Sequence, residues 1–184
     1  MLDEPPRPEA GIVPWSHWKP TAATAVAVRI ERYTGARGDL RRLFEEAEDS
    51  AQQIDSYLES GDVLAAIAHD RVIGHLQLTE TADANTGEIK NMAVESGHRG
   101  RGVGLALIDA AIQRTREGGH SRLVVSTAAA DFGNPRFYQR AGFRLRSVER
   151  DAFLPDTGYP VGATIDGVPL RDRVWLDLRV VEEV

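Results

Sequence analysis

Not one of the 184 residues is a cysteine. That excludes disulfides, thiolate metal sites and a cysteine nucleophile, so any group transfer goes straight to its acceptor or through another nucleophile. The five histidines (His17, His69, His75, His98 and His120) never fall at a ligand spacing such as H-x-x-x-H, which argues against a metal centre. No apolar run approaches the length of a membrane span. The opening stretch MLDEPPRPEAGIVPWSHWKP has acids and prolines where an export signal needs a basic and then an apolar region, so the expected location is the cytoplasm. Internal repeats are absent. A formal net charge of -6 argues against a nucleic-acid partner and is compatible with a cationic one.

What is present is ordinary for one globular domain: 42% hydrophobic and 27% charged residues in a chain long enough to bury a full core. Residues 1–24 are proline-rich and lack periodicity, and read as an arm carrying Trp15 and Trp18; residues 25–184 read as a single domain. From Ala25, AVAVRIERY alternates as a strand does. Residues 38–61 show helical spacing (Leu40, Leu43, Phe44, Ala47, Ile54, Leu58) and predict two short helices broken near Asp49 and Ser50. DVLAAIAHDRVIGHLQLTE predicts two strands joined by a tight turn at His69–Arg71, and GEIKNMAVE another strand. A helix over residues 103–117 is expected from Leu105, Ile108, Ala111 and Ile112, ended by Gly118 and Gly119. RLVVSTA is a short apolar strand. NPRFYQRAG predicts a helix of one or two turns, with Asn134 as cap, Pro135 at its first position and Gly142 as stop. FRLRSVER and DRVWLDLRV are two further strands, separated by a long connection with three prolines. The order β, αα, βββ, α, β, α, ββ predicts an α/β fold: a mixed sheet of about seven strands with helices on its faces.

The stretch GHRGRGVG, residues 97–104, puts four glycines and two arginines between a strand and a helix. Glycine in a helix interior costs about 1 kcal/mol against alanine. A phosphate ligand accounts for it: the first helical turn has amides with no intrahelical partner, the helix dipole adds positive charge there, and glycines let an anion approach the backbone. The dinucleotide pattern G-x-G-x-x-G fails, because Leu107 stands at its third position, and no G-K-[ST] of a P-loop follows. What fits is R-x-x-G-x-G, from Arg99 through Gly102 to Gly104.

This signature resembles that of the GCN5-related N-acetyltransferase (GNAT) family. GEIKNMAVE looks like the family's fourth strand. NPRFYQRAGF resembles its second cofactor segment, N-x-x-x-x-Y-x-x-x-G-F, at Asn134, Tyr138, Gly142 and Phe143. The resemblance covers residues 25–150 well and the last strands loosely. It implies the GNAT fold with a β-α-β acetyl-CoA-binding core, and direct transfer of acetyl from acetyl-CoA to an amine. It also implies that Met92, Ala93 and Val94 pair their backbone with the pantetheine. Arg99, Gly100, Arg101, Gly102, Val103 and Gly104 would hold the pyrophosphate, and Asn134 and Tyr138 would complete the cofactor site. Tyr138 matches the acid that protonates the leaving thiolate. Glu88 matches the general base of the histone-acetylating branch, with a strand-end surface residue beside Lys90 as the plain alternative. A bulge at Asn91–Met92 would free a backbone N–H as an oxyanion donor. Ser126 and Thr127 end their strand facing the cofactor and are candidate polar contacts that read more readily as plain strand-end residues, and His75 is a minor candidate that reads more readily as structural.

The acceptor-building segments are acid-rich: Glu45, Glu46, Glu48, Asp49, Asp55, Asp151, Asp156 and Asp166. Glu45, Glu46 and Glu48 read as the solvated outside of a helix. Asp156 and Tyr159, in a proline-stiffened loop, are the substrate-binding candidates together with Glu88. DGVPLRDRVWLDL resembles segments of bacterial small-molecule acetyltransferases, including aminoglycoside-resistance types. The favoured reading is a small-molecule amine N-acetyltransferase, with a kasugamycin-like aminoglycoside as one acceptor and antibiotic resistance as the outcome. A peptide or protein N-acetyltransferase and a non-catalytic acetyl-CoA-binding module stay open. A homodimer is expected, with Trp15 and Trp18 as candidate anchors.

Overall fold

The computed structural model describes residues 28–181. The arm with Trp15 and Trp18, and the start of the first strand at Ala25, lie outside the described residues. Seven strands form one sheet: β1 (Arg29–Arg32), β2 (Asp62–Ala68), β3 (Arg71–Glu80), β4 (Thr86–Val94), β5 (Arg122–Ala128), β6 (Arg144–Glu149) and β9 (Arg173–Arg179). Their order is β1-β2-β3-β4-β5-β9-β6. Only β4 and β5 run parallel, joined through the helix α3 (Val103–Glu117); all other pairs are antiparallel. β9 slips between β5 and β6 because it has apolar residues to bury, Val174 and Leu176, whereas all six residues of β6 are exposed. Charged strands belong at edges.

The helices divide between the two faces. α3 and α4 (Gly133–Arg140) cover one face, where Leu107, Ile108, Leu123, Val125, Phe143 and Leu176 form the larger core. α1 (Arg41–Glu45) and α2 (Ala51–Tyr57) cover the other, with Leu43, Phe44, Ile54 and Val63. The break between α1 and α2 falls where Asp49 and Ser50 predict it, and the Ser50 hydroxyl caps α2 by accepting from the Gln53 amide at 3.3 Å. His69 and Asp70 both have positive φ (49° and 56°), the geometry of a two-residue hairpin turn.

Two readings need correction. Asn134 does not cap α4. The Asp131 carboxylate does so, accepting from the amides of Gly133 (2.7 Å) and Asn134 (3.1 Å) and from Asn134 Nδ2 (2.7 Å). An aspartate two and three residues ahead of those amides starts the turn earlier than Asn134 can. The connection after β6 is also more structured than read: β7 (Thr164–Ile165) and β8 (Val168–Pro169) form a small hairpin around Asp166 and Gly167, both at positive φ.

Three buried polar side chains sit under α1 and α2. Gln77 donates from Nε2 to the carbonyls of Tyr57 and Ser60, both at 2.8 Å, satisfying acceptors left over at the end of α2. Asn91 Nδ2 donates to the Phe44 carbonyl (3.3 Å) and the Tyr57 hydroxyl (3.0 Å). His75 is fully buried, its ring against Phe44 at 4.2 Å between centroids. It is therefore part of the core and lies off the cleft described below. Burial holds its pKa down to about 3. The unfolded chain takes up a proton near pH 6.5 that the folded chain refuses, so stability falls as pH drops from about 6.5 toward 3. We expect His75→Leu to flatten that limb by up to about 1.4 kcal/mol per pH unit, read from thermal melts of both proteins between pH 4 and 8.

Candidate active site

The site begins where β4 leaves β5. Their parallel pairing runs from Thr86 and Arg122 to Ile89 and Val125 and goes no further, although β5 stays paired with β9 to Ala128. The cause is a bulge: Gln77 pairs with Asn91 and Leu78 with Ile89, so Lys90 is the extra residue. It lies one position before the Asn91–Met92 expected from sequence. A bulge bends its strand and increases its twist. From Lys90 to Val94 the β5-facing backbone groups of β4 then have no strand to pair with. Met92, Ala93 and Val94 line this opened edge.

At its far end lies the glycine loop. Gly100 and Gly102 have φ of 72° and 86°, which L-residues rarely adopt, and a Cβ on either would meet nothing within 4 Å. These two glycines are there for backbone shape. Gly104 is there for packing: a Cβ would stand 3.2 Å from the Phe137 ring. That contact joins the start of α3 to α4, and so joins two sequence motifs about 30 residues apart. No side chain caps α3, whose first hydrogen bond runs from the Ala106 amide to the Gly102 carbonyl at 3.0 Å. Among the described residues the amides of Gly100, Arg101 and Gly102 have no hydrogen-bond partner, and Val103 and Gly104 follow them in the open first turn. Arg101 is exposed. Arg99 is not turned to this cradle. Its amide donates to Ser96, and its guanidinium donates to the Val94 carbonyl and to Glu46, both at 2.8 Å. Buried Glu95 ties the same region together by ion pairs to Arg42 and to Arg71, the latter at 2.7 Å. The cradle thus rests on a fixed base. It fits a pyrophosphate followed by an extended chain lying along β4.

Tyr138, on α4, packs edge-on against Phe137 and Phe143. Burial, with Asp131 as a smaller contribution, raises its phenol well above the usual tyrosine value. The group stays protonated across the neutral range, which suits an acid. Its hydroxyl has no hydrogen-bond partner among the described residues.

Between β4 and β5 on the α1–α2 side is a cleft of about 180 Å³. Lys90 and Asn91 form one wall, Ser126 and Thr127 the other, and Asn134 and Asp131 its end near α4. Glu88 is on its rim, 3.5 Å from Lys90 Nζ, and also borders a larger open hollow of about 740 Å³ beside the C-terminal end of α3. The long connection closes the top. The Tyr159 hydroxyl is 2.9 Å from each oxygen of Glu48, and Gln53 Nε2 donates to the Thr157 carbonyl at 2.9 Å. Burial and Glu48 raise the Tyr159 phenol too, so it remains the donor of that bond.

Tyr159 therefore lines the cleft as expected, but Asp156 does not: it is exposed on a short helical turn at Pro155–Thr157. Glu48 is the converse. Expected on a solvated helix face, it lies beyond the last residue of α1 and reaches into the cleft. The helix break ahead of Ser50 was the signal that could have found it. Glu45, Glu46, Asp55 and Asp151 are spent on surface ion pairs with arginines. Asp131, Arg173 and Trp175 also line the cleft and carry no motif in sequence.

Comparison with known proteins follows the same geometry. The sequence profile of the Acetyltransferase (GNAT) family matches residues 31–143. The chain belongs to this family. An uncharacterised N-acetyltransferase of Bacillus subtilis (strain 168), YvbK, is 31% identical over 153 residues, 82% of this chain and 97% of that protein. A solved acetyltransferase of Bacillus subtilis in complex with CoA has a TM-score of 0.76 at 30% identity, covering 84% of this chain and 99% of its own. A GNAT acetyltransferase of Elizabethkingia anophelis with acetyl-CoA bound has a TM-score of 0.75 at 28% identity, over 83% of this chain and 97% of its own. The protein is thus an N-acetyltransferase with the GNAT fold, and acetyl-CoA is its co-substrate.

Because Gly102 is left-handed, Gly102→Ala is expected to lower stability by about 1–2 kcal/mol, visible as a lower thermal midpoint. Addition of CoA should raise the midpoint of the variant by less than it raises that of the wild-type protein.

Proposed function

We propose that this N-acetyltransferase acetylates a primary amine of a small cationic molecule, with an aminoglycoside of the kasugamycin type as the leading candidate and antibiotic resistance as the consequence. The observation that carries the reading is the roofed cleft. It is small, and its lining sets four carboxylates (Glu48, Asp49, Glu88, Asp131) against two cations (Lys90, Arg173). Tyr57, Phe153, Tyr159 and Trp175 supply flat apolar walls for a ring. Such a lining attracts a protonated amine or aminosugar. The Tyr159–Glu48 and Gln53–Thr157 bonds close the groove that an extended peptide would need.

The residues then divide the work. Met92, Ala93 and Val94 offer backbone to the pantetheine, the amides of Gly100–Gly104 with the Arg101 side chain hold the pyrophosphate, and Asn134 stands between cofactor and acceptor. The substrate ammonium docks against the cleft carboxylates and loses a proton to Glu88. The amine nitrogen bonds to the acetyl carbon, the carbon–sulfur bond breaks, Tyr138 gives its proton to the departing thiolate, and the second proton shed by the new amide nitrogen restores the Tyr138 phenol. The enzyme works in the cytoplasm and as a homodimer.

The test is thiol release from acetyl-CoA with aminoglycosides including kasugamycin, polyamines, amino acids and short peptides. Saturable turnover with an aminosugar is expected, and peptide-only turnover would overturn the small-molecule reading. Tyr138→Phe should lower kcat by about 10² or more while leaving the KM for acetyl-CoA nearly unchanged. Glu48→Gln should act differently, raising the KM for the amine roughly tenfold with the acetyl-CoA KM unmoved.

A further inference from the structure

We infer, on the small-molecule reading above, that the acceptor binds in two parts: its reacting amine in the roofed cleft, and the rest of the molecule in the open hollow beside the C-terminal end of α3, with Lys90 at the passage between them. Pockets that enclose a drug-sized ligand run to about 300–1,000 Å³. The cleft, at about 180 Å³, falls below that range, and the Tyr159–Glu48 and Gln53–Thr157 bonds close its top. The hollow has about 740 Å³. Tyr57, Glu88 and Lys90 line both. A molecule with its amine at Glu88 therefore continues into the hollow without crossing the roof. Another hollow, of about 330 Å³, also meets the cleft, at Glu88 and Trp175, but it is under half the size and the Arg146 cation lines it.

Strand register makes the hollow. β2 begins at Asp62, opposite Leu78, so Thr79 and Glu80 run on past it with no strand on that side. The space opens there, between the end of α2 and the end of α3. Thr79 is the cross-strand partner of Glu88, and Glu80 follows it. Asp62 spends its two oxygens on Arg32 and Arg114, at 2.7 and 2.8 Å. Glu80 has no ion pair among the described residues and is the carboxylate left for a second ammonium. The acceptor class is then an aminosugar or polyamine with at least two amines. Lys90 selects for it. Its ammonium lies 5.4 Å from the centre of the Tyr57 ring and 3.5 Å from a Glu88 oxygen. An aromatic face and a carboxylate are what an acceptor ammonium takes at that point. Lys90 thus holds the substrate's place and has to swing aside on its flexible stem. An acceptor whose second amine reaches Glu80 gains a contact that Lys90 does not contest.

Calorimetric titration of the full chain saturated with CoA is the test, with two probes: glucosamine, a single ring with a single amine, and neamine, a two-ring polyamine. Neamine should bind more tightly. Glu80→Lys should weaken neamine roughly tenfold and leave glucosamine nearly unchanged. Ser60→Trp, which fills the hollow from its rim, should do the same. Lys90→Met should tighten both probes by about threefold or more, and Lys90→Arg should not. Glu80 and Ser60 are exposed, and an unchanged affinity for CoA checks that each variant is folded. If neither probe binds the CoA-loaded wild type, the small-molecule reading and this inference fall together. Neamine binding indifferent to Glu80→Lys and Ser60→Trp, or equal losses for both probes, would overturn the two-part site alone. So would a Lys90→Met protein that binds both probes no better.

Discussion

Parallel pairing between β4 and β5 stops at Ile89 and Val125, and the function hangs on that stop. One extra residue, Lys90, turns β4 away while β5 continues with β9. The opened edge leaves backbone unpaired on one side, where we place the extended cofactor, and makes a cleft on the other, where we place the acceptor. A sheet paired to its end would have neither. The constraint is local, but it holds only because both strands are gripped elsewhere: β4 by β3 along its length, β5 by β9.

The grip also explains the polar residues buried under α1 and α2. Short helices leave many carbonyls without partners for their length. Gln77 and Asn91 supply donors to those ends from the strands beneath. The two helices are thereby fixed to β3 and β4, and the segment between them, with Glu48, is held over the cleft rather than free in solvent. The Tyr159 bond completes the roof from the opposite side.

Much of this was legible in the sequence because it is local. Helix α3 and strand β5 fall where periodicity puts them, and the glycine loop reads as an anion cradle because positive φ and open amides are properties of a few adjacent residues. The cofactor half of the proposed site is made of two such segments. The acceptor half was harder. Glu48, Asp131, Arg173 and Trp175 come from four separate parts of the chain and meet only through sheet order, which sets β9 between β5 and β6 against sequence order. Asp156 and Glu48 show the limit well. Each is an acid near a turn, and only the direction of the chain after α1 and after Leu154 sends one into the cleft and the other to solvent. The bulge was placed one residue late for a related reason: its position depends on the register with β3.

Asp131 has a consequence of its own. The same carboxylate that starts the helix bearing Tyr138 also lines the cleft to which we assign a cationic acceptor. In the proposed mechanism a positive charge there would be felt twice: it would draw on the acceptor oxygens that hold the helix start, and it would offset the Asp131 charge, which adds to the larger effect of burial in raising the Tyr138 phenol. In that mechanism the phenol gives up its proton more readily once the amine is in place, with burial still holding it protonated otherwise.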